Sequence, residues 1–188
     1  MKETLIGTVL GDGRLERHGQ GVRLAVNHAA AQKAYIQWKH QELLSLRPSP
    51  LHFHSGGRYP FWRFVTGTHP LLEELWRLFY VDGRKRVPEE IDRLLTSPKA
   101  LAVWFMDDGT CDKRQGSVLF ETQGFLLEDI ERLQRCLESN FQLDTVVHRS
   151  GRGRGLRLYL PVREARKMAL LIQPFVLPEM RYKLPRSL

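Results

Sequence analysis

Leu5-Ile6-Gly7-Thr8-Val9-Leu10-Gly11-Asp12-Gly13 is answered 96 residues later by Leu101-Ala102-Val103-Trp104-Phe105-Met106-Asp107-Asp108-Gly109. Both stretches are apolar almost throughout and end on an aspartate followed by glycine. A short helix that is apolar all round has to be buried all round. Gly7 and Gly11, one turn apart, give the first copy a small-residue edge that another backbone can approach closely. The natural partner is the second copy of the same helix. Val103 fills the slot of Gly7, so the crossing is expected to be asymmetric. Side by side about a pseudo-twofold axis, the two helices bring Asp12 and Asp108 together at their C-terminal ends. Gly13 and Gly109 suit the chain turning out of each helix.

The duplication extends outward from these helices. Lys85 and Lys183 lie 73 and 75 residues beyond their respective aspartates, so a second landmark repeats at nearly the same period. Between the landmarks the patterns match in type. Val22 to His28 alternates as a strand does, and Ser117 to Gln123 holds the same slot. Helices are expected over Ala30 to Leu46 and Leu127 to Phe141. Hairpins follow, from Leu51–Ser55 with Phe61–Thr66, and from Thr145–Arg149 with Leu156–Leu160, around glycine-bearing turns. Closing helices are expected over Pro70 to Tyr80 and Val162 to Leu171. With a strand near Gly13 to Arg17 and its counterpart, each copy reads α-β-β-α-β-β-α, an α+β fold with antiparallel sheets. The reading divides the chain into a first half, 1–87, a connecting segment, 88–99, with a short helix between Pro88 and Pro98, and a second half, 100–188.

With 188 residues, 42% apolar content and 10% aromatics, the chain has the means to bury a core without disulfides or structural metal. Two cysteines, Cys111 and Cys136, form no CxxC and read as free thiols in a reducing intracellular compartment, cytoplasm or organelle matrix. No run is long and apolar enough for a membrane span, and the N-terminus lacks a signal-peptide plan. A secreted disulfide scaffold, a membrane protein and a zinc ribbon are excluded. The net charge of +8 favours a polyanionic partner.

Two carboxylates at neighbouring helix C-termini repel each other and face the negative ends of two helix dipoles. A hard divalent cation resolves that conflict, since Mg²⁺ takes oxygen ligands and keeps several waters. The Gly11 and Asp107 carbonyls are further candidate ligands. One Asp-Gly after a helix is an ordinary turn. Two, at the ends of one buried helix written twice, point to a metal site.

These features resemble the LAGLIDADG homing endonucleases, in the form that carries two motifs on one chain. The paired nine-residue motifs carry the resemblance, with Thr122-Gln123, Ile91 to Ala100 and Met180 to Pro185 adding to it, from about Leu5 to Pro185. The resemblance implies a monomer whose two four-stranded sheets form a saddle over the DNA major groove, with the motif helices at its centre. It implies Asp12 and Asp108 as ligands of catalytic Mg²⁺, with Mn²⁺ able to substitute. Both strands would be cut across the minor groove, leaving short 3′ overhangs, in support of homing of an intron or similar element. Lys85 and Lys183 map to the assisting basic residues. Asn27 and Glu121 map to the polar residues that organise the attacking water.

Double-stranded DNA is therefore the expected partner, with intron RNA as a second one and no obligate protein partner. Arg23, His52, His54, Arg58, Arg63, Gln123, Arg149, Arg152, Arg154, Arg157 and Tyr159 are the candidate DNA contacts, on alternating strand positions and hairpin tips. β-Ribbons fit the major groove and Arg reads guanine there. His52 and His54 lack a second ligand pair for zinc. Trp38, Trp76 and Phe79 read as core. A cleavage-inactive RNA maturase or DNA-binding regulator of the same fold stands as the alternative. A basic RNA-binding structural protein is a weaker one that leaves the paired motifs unexplained.

Overall fold

The computed structural model describes residues 1–149 and 155–185. The first motif forms α1 (Lys2–Leu10) and the second α5 (Pro98–Asp108). Thr4 to Leu10 and Ala100 to Met106 are fully enclosed, as their all-round apolarity requires. The sequence starts α5 sharply: Pro98 sits in the first turn and the Ser97 hydroxyl accepts from the Ala100 N–H at 3.1 Å.

The two helices pack directly on one another. A Cβ placed on Gly7 would lie 2.7 Å from Val103 Cβ and would overlap the Ala100 carbonyl. The crossing is asymmetric in that sense, with the glycine edge of α1 receiving the Val103 side chain of α5. Because the obstruction includes backbone, a side chain at position 7 has to push the helices apart. Gly7→Ala is expected to destabilise the fold by about 1–3 kcal/mol, the usual cost of overpacking a tight core. A denaturation midpoint equal to that of the unaltered chain would contradict this crossing.

The first half continues with β1 (Arg14–His18), β2 (Gly21–Ala29), α2 (Lys33–Glu42), β3 (His52–His54), β4 (Phe61–Val65) and α3 (Pro70–Phe79). A short hairpin, β5 (Tyr80–Val81) and β6 (Arg84–Lys85), and α4 (Ile91–Leu94) lead to α5. The second half adds β7 (Gly109–Cys111), β8 (Val118–Phe120), α6 (Leu127–Phe141), β9 (Val146–Arg149), β10 (Leu156–Leu160) and α7 (Val162–Ile172). Each half carries one antiparallel four-stranded sheet, ordered β1-β2-β4-β3 and β7-β8-β10-β9. The second sheet repeats the first strand for strand.

Three details differ from the sequence expectation. The helix expected over Ala30 to Leu46 is α only from Lys33 to Glu42, with single 3₁₀ turns at Ala30–Gln32 and Leu44–Leu46. Gly13 and Gly109 are needed for closeness rather than for left-handed backbone. Gly109 has φ −75°, and an added Cβ at Gly13 would lie 2.5 Å from the Thr8 carbonyl oxygen. The β5–β6 hairpin was not anticipated. Its two-residue turn, Asp82 at φ 50° and Gly83 at φ 72°, has the positive angles that favour Asp-Gly there.

One apolar core runs through both halves, with Trp104 stacked on Phe120 at 4.1 Å between ring centres. Phe79 is buried in it, whereas Trp38 and Trp76 are half-buried at its edge. The end of the first half is tied to α6 through Asp129, which is wholly enclosed. Asp129 accepts from Arg86 Nε (2.6 Å), the Val87 N–H (3.2 Å) and the Leu126 N–H at the helix start.

Candidate active site

Gly11 and Asp107 occupy the same motif position, and their difference organises the centre. The space that Gly11 leaves is filled by Asp107: a Cβ at Gly11 would lie 2.6 Å from both Cβ and Oδ2 of Asp107. The Asp107 carboxylate is fully enclosed and saturated. Lys39 Nζ donates to its two oxygens at 2.7 and 2.8 Å, the Tyr35 hydroxyl donates at 2.8 Å, and the Asp12 N–H at 3.1 Å. Lys39 is equally enclosed. Burial pushes the Asp107 carboxyl up, but Lys39 and Tyr35 outweigh it and hold it below its ordinary range. Burial and the Asp107 charge push the Tyr35 hydroxyl well above the usual phenol range, so it stays a donor.

His28 lies against this network, its Nδ1 3.6 Å from Asp12 Oδ2 and its Nε2 3.8 Å from Asp107 Oδ1. Burial, then Lys39, pulls its pKa down to about 3, so the ring is neutral at working pH. Asp12, His28 and Asp107 present ligand atoms within 4.8 Å of one another. Asp107 is already committed to Lys39 and Tyr35, which leaves Asp12 as the open carboxylate of that trio.

Asp12 is exposed while Asp108 is half-buried and accepts from Trp104 Nε1 at 3.2 Å. Desolvation, then the charges of Asp107 and Asp12, pushes the Asp108 pKa up to about 7. Desolvation and Asp107 raise Asp12 as well. These carboxylates are strained by one another's charge, which a divalent cation would relieve. The donor set is hard oxygen and suits Mg²⁺ or Mn²⁺.

The two lysines are placed equivalently. Lys85, carried in by the β5–β6 hairpin, donates to the Gly11 carbonyl at 2.6 Å and the Gly13 carbonyl at 3.1 Å. Lys183 donates to the Met106 and Asp107 carbonyls at 2.6 and 2.9 Å. Each ammonium thus caps the C-terminus of a motif helix, where the dipole favours a cation. The Gly11 and Asp107 carbonyls, considered above as metal ligands, accept from these lysines. Burial, opposed by Asp108, Asp107 and Asp12, brings the Lys85 pKa down to about 8, and burial lowers Lys183 too.

The sheet register makes Asn27 and Glu121 equivalent. Asn27 faces Arg63 across β2–β4, and Glu121 lies 2.8 Å from Arg157 Nε beside the matching strand pair. Arg23, Asn27, Arg63, His52 and His54 share one face of the first sheet, opposite the core. Arg157 and Tyr159 share the corresponding face of the second, and Gln123 donates to Glu121 there. Arg58 is exposed beside Tyr59 in the β3–β4 turn. Arg149 departs from this pattern. It pairs with Leu156 and so falls on the opposite side of the strand from Arg157. His148, which pairs with Arg157 and stacks on Tyr159 at 4.2 Å, takes the place expected of it. Arg152 and Arg154 lie outside the described residues.

Residues 2–168 match the model of the LAGLIDADG DNA endonuclease family. The chain belongs to that family. Among its relatives, the cytochrome b mRNA maturase bI2 of Debaryomyces hansenii is 26% identical, over 98% of this chain and 73% of its own length. A RecA protein of Mycolicibacterium chitae is 32% identical over 97% of this chain but 45% of its own, so the chain spans less than half of that relative. The solved structure of the homing endonuclease I-WcaI bound to its DNA recognition sequence superposes with a TM-score of 0.86 at 26% identity. That match covers 100% of this chain and 86% of that one. The antiparallel αββαββα halves of the LAGLIDADG fold are thus present throughout.

His28, Tyr35 and Lys39 escaped the sequence reading. Lys39 left a signal: Tyr35, Ile36, Lys39 and Leu43 form one helical face, so this lysine sits on an apolar stripe and needs a buried acid. Asp107, the odd residue of its LAGLIDADG motif, is that acid. The Asp82-Gly83 turn was the readable signal for the hairpin that delivers Lys85.

Proposed function

We propose that this chain is a site-specific double-strand DNA endonuclease. In this reading it cuts a long asymmetric target by metal-dependent phosphodiester hydrolysis across the minor groove, leaving short 3′ overhangs, and supports homing of an intron or similar element. It acts as a monomer, with halves 1–87 and 100–188 joined by 88–99. The observation that carries the reading is the pair of motif aspartates, Asp12 and Asp108, held at the ends of adjacent buried helices with raised pKa values and a lysine behind each.

Asp12 and Asp108 would hold the cation, which when bound would supply charge neutralisation at the scissile phosphate and a lowered pKa for water. Asn27 and Glu121 orient that water from the sheet faces. Lys85 and Lys183 fix the helix ends that carry the aspartates and add positive charge near the phosphates. Arg23, His52, His54, Arg58, Arg63, Gln123, Arg157 and Tyr159 contact DNA, most of them from the polar sheet faces, and phosphate contacts among them set position rather than sequence.

A randomised or genomic DNA library incubated with the protein, with Mg²⁺ and with EDTA, tests this. Discrete metal-dependent ends with staggered 3′ overhangs at one long motif are the expected result. Retention of fragments without cutting would favour the regulator, and selective retention of RNA would favour the maturase, since the Debaryomyces hansenii maturase is similar over 98% of this chain.

The raised Asp108 pKa gives the metal a pH signature. A cation binds the ionised carboxylate, so it competes with a proton up to about pH 7. Apparent Mg²⁺ affinity is expected to rise from pH 5.5 to about 7 and then level off. Metal-free stability reports this poorly. Asp108, with its raised pKa, destabilises the fold as pH climbs from its unfolded value toward 7. His28, with its lowered pKa, stabilises the fold as pH climbs from about 3 toward its unfolded value. The metal-induced shift in melting temperature isolates the effect. An equal shift at pH 5.5 and 8 would contradict it.

A further inference from the structure

Glu16 is a carboxylate on the face of the first sheet that carries Arg23 and Arg63. Oε2 of Glu16 lies 3.1 Å from Arg23 Nη2 and 3.3 Å from Arg23 Nε. Oε1 is 3.9 Å from Arg63 Nη2 and 4.0 Å from Arg14 Nε. Glu16 pairs with Arg23 across β1–β2, whereas Arg63 belongs two rows further along, opposite Asn27. Ala25 lies between them on β2, and its small, covered side chain leaves room for Arg63 to reach back to Glu16. The carboxylate and both guanidiniums are partly buried, at 21%, 27% and 34% exposure, while Arg14 is 78% exposed.

On the second sheet the corresponding face has Glu121 paired with Arg157 alone, at 2.8 Å, rather than one carboxylate between two arginines. Asp112 stands four residues after its motif aspartate, as Glu16 does, but its carboxylate accepts from the Arg114 and Gln115 N–H groups and closes a turn. By charge alone, an acid on a face that meets a polyanion weakens binding. Its gain is order: a carboxylate fixes the plane of a guanidinium, and only a fixed plane presents its donor fork to the O6 and N7 acceptors of guanine.

We propose that Glu16 is a specificity-determining residue that fixes Arg23 by hydrogen bonds and draws Arg63 beside it by charge, setting the two as a guanine-reading pair. This rests on the DNA-cleavage reading above. The unit reads guanines at two neighbouring positions in one half of the target. Arg14, at 78% exposure the most solvent-facing of the three, serves phosphate.

The test is selection of bound duplexes from a randomised pool in Ca²⁺, with the unaltered protein, Glu16→Gln, Arg23→Lys and Arg63→Lys, each checked for an unchanged melting temperature. The unaltered protein is expected to enrich guanine at two nearby positions of one half-site. Glu16→Gln should keep or slightly raise total DNA affinity, having lost a negative charge, yet lower guanine preference at those positions about 10-fold. Arg23→Lys and Arg63→Lys keep the charge and lose the fork, so each should relax one of the two positions. Unchanged guanine preference in Glu16→Gln overturns the proposal, as does a uniform loss across all sequences in the lysine variants. If the unaltered protein selects no sequence at all, the endonuclease reading fails first and takes this one with it.

Discussion

Asp12→Asn or Asp108→Asn is expected to slow DNA cleavage by at least about 10³-fold while leaving DNA binding intact. Each change is nearly isosteric and removes a charged oxygen donor from the proposed metal site. Loss of a direct ligand should exceed the 10- to 100-fold typical of losing a group behind the ligands. Binding in EDTA should hold or tighten, because either substitution removes a negative charge that faces phosphate. The measurement is single-turnover cleavage of a selected target beside a binding titration. Cleavage at near-normal rate in either variant would remove these aspartates from the chemistry. Parallel loss of binding and cutting would assign them a structural role.

Lys39→Met should produce the largest stability change in the molecule. It leaves the Asp107 carboxylate enclosed with no cation beside it. Breaking a buried pair from one side costs about 3–5 kcal/mol, or about 6–20 °C in melting temperature for a chain of this size. Asp107→Asn on its own strands the Lys39 ammonium and should cost a similar amount. The double variant, Lys39→Met with Asp107→Asn, should recover much of the loss, since paired removal of buried charges is often nearly neutral. A thermodynamic cycle over the four proteins measures the coupling. Additive losses would mean that the two groups do not depend on one another. The double variant has a second readout. It abolishes the charge-assisted hold that Asp107 exerts on the Asp12 N–H. Cleavage should therefore fall more than stability does.

Most of the α+β architecture was legible because it rests on local patterns and on duplication. The boundaries of α6 follow from its apolar spacing, and β10 from its alternation between a glycine turn and Pro161. The 3₁₀ turns around α2 were not legible. Apolar periodicity does not report where an α-helix tightens.

The site divides in the same way. The sequence alone identified Asp12 and Asp108 as a pair, matched Lys85 with Lys183, and gave the antiparallel halves, because two copies of one pattern carry their own correspondence. Only the tertiary structure decided what each group does in place. It showed that Asp107 reaches from α5 into the first half to meet Lys39, that the two lysines cap the motif-helix carbonyls, and that Glu16 gathers Arg23 and Arg63. It also put Arg149 on the far side of its strand, because strand register fixes which face a side chain takes. Each is a contact between residues far apart in the chain or across paired strands. Local propensity is indifferent to such contacts. They follow from how closely Gly7 and Gly11 let two helices approach, and from which strand lies opposite which.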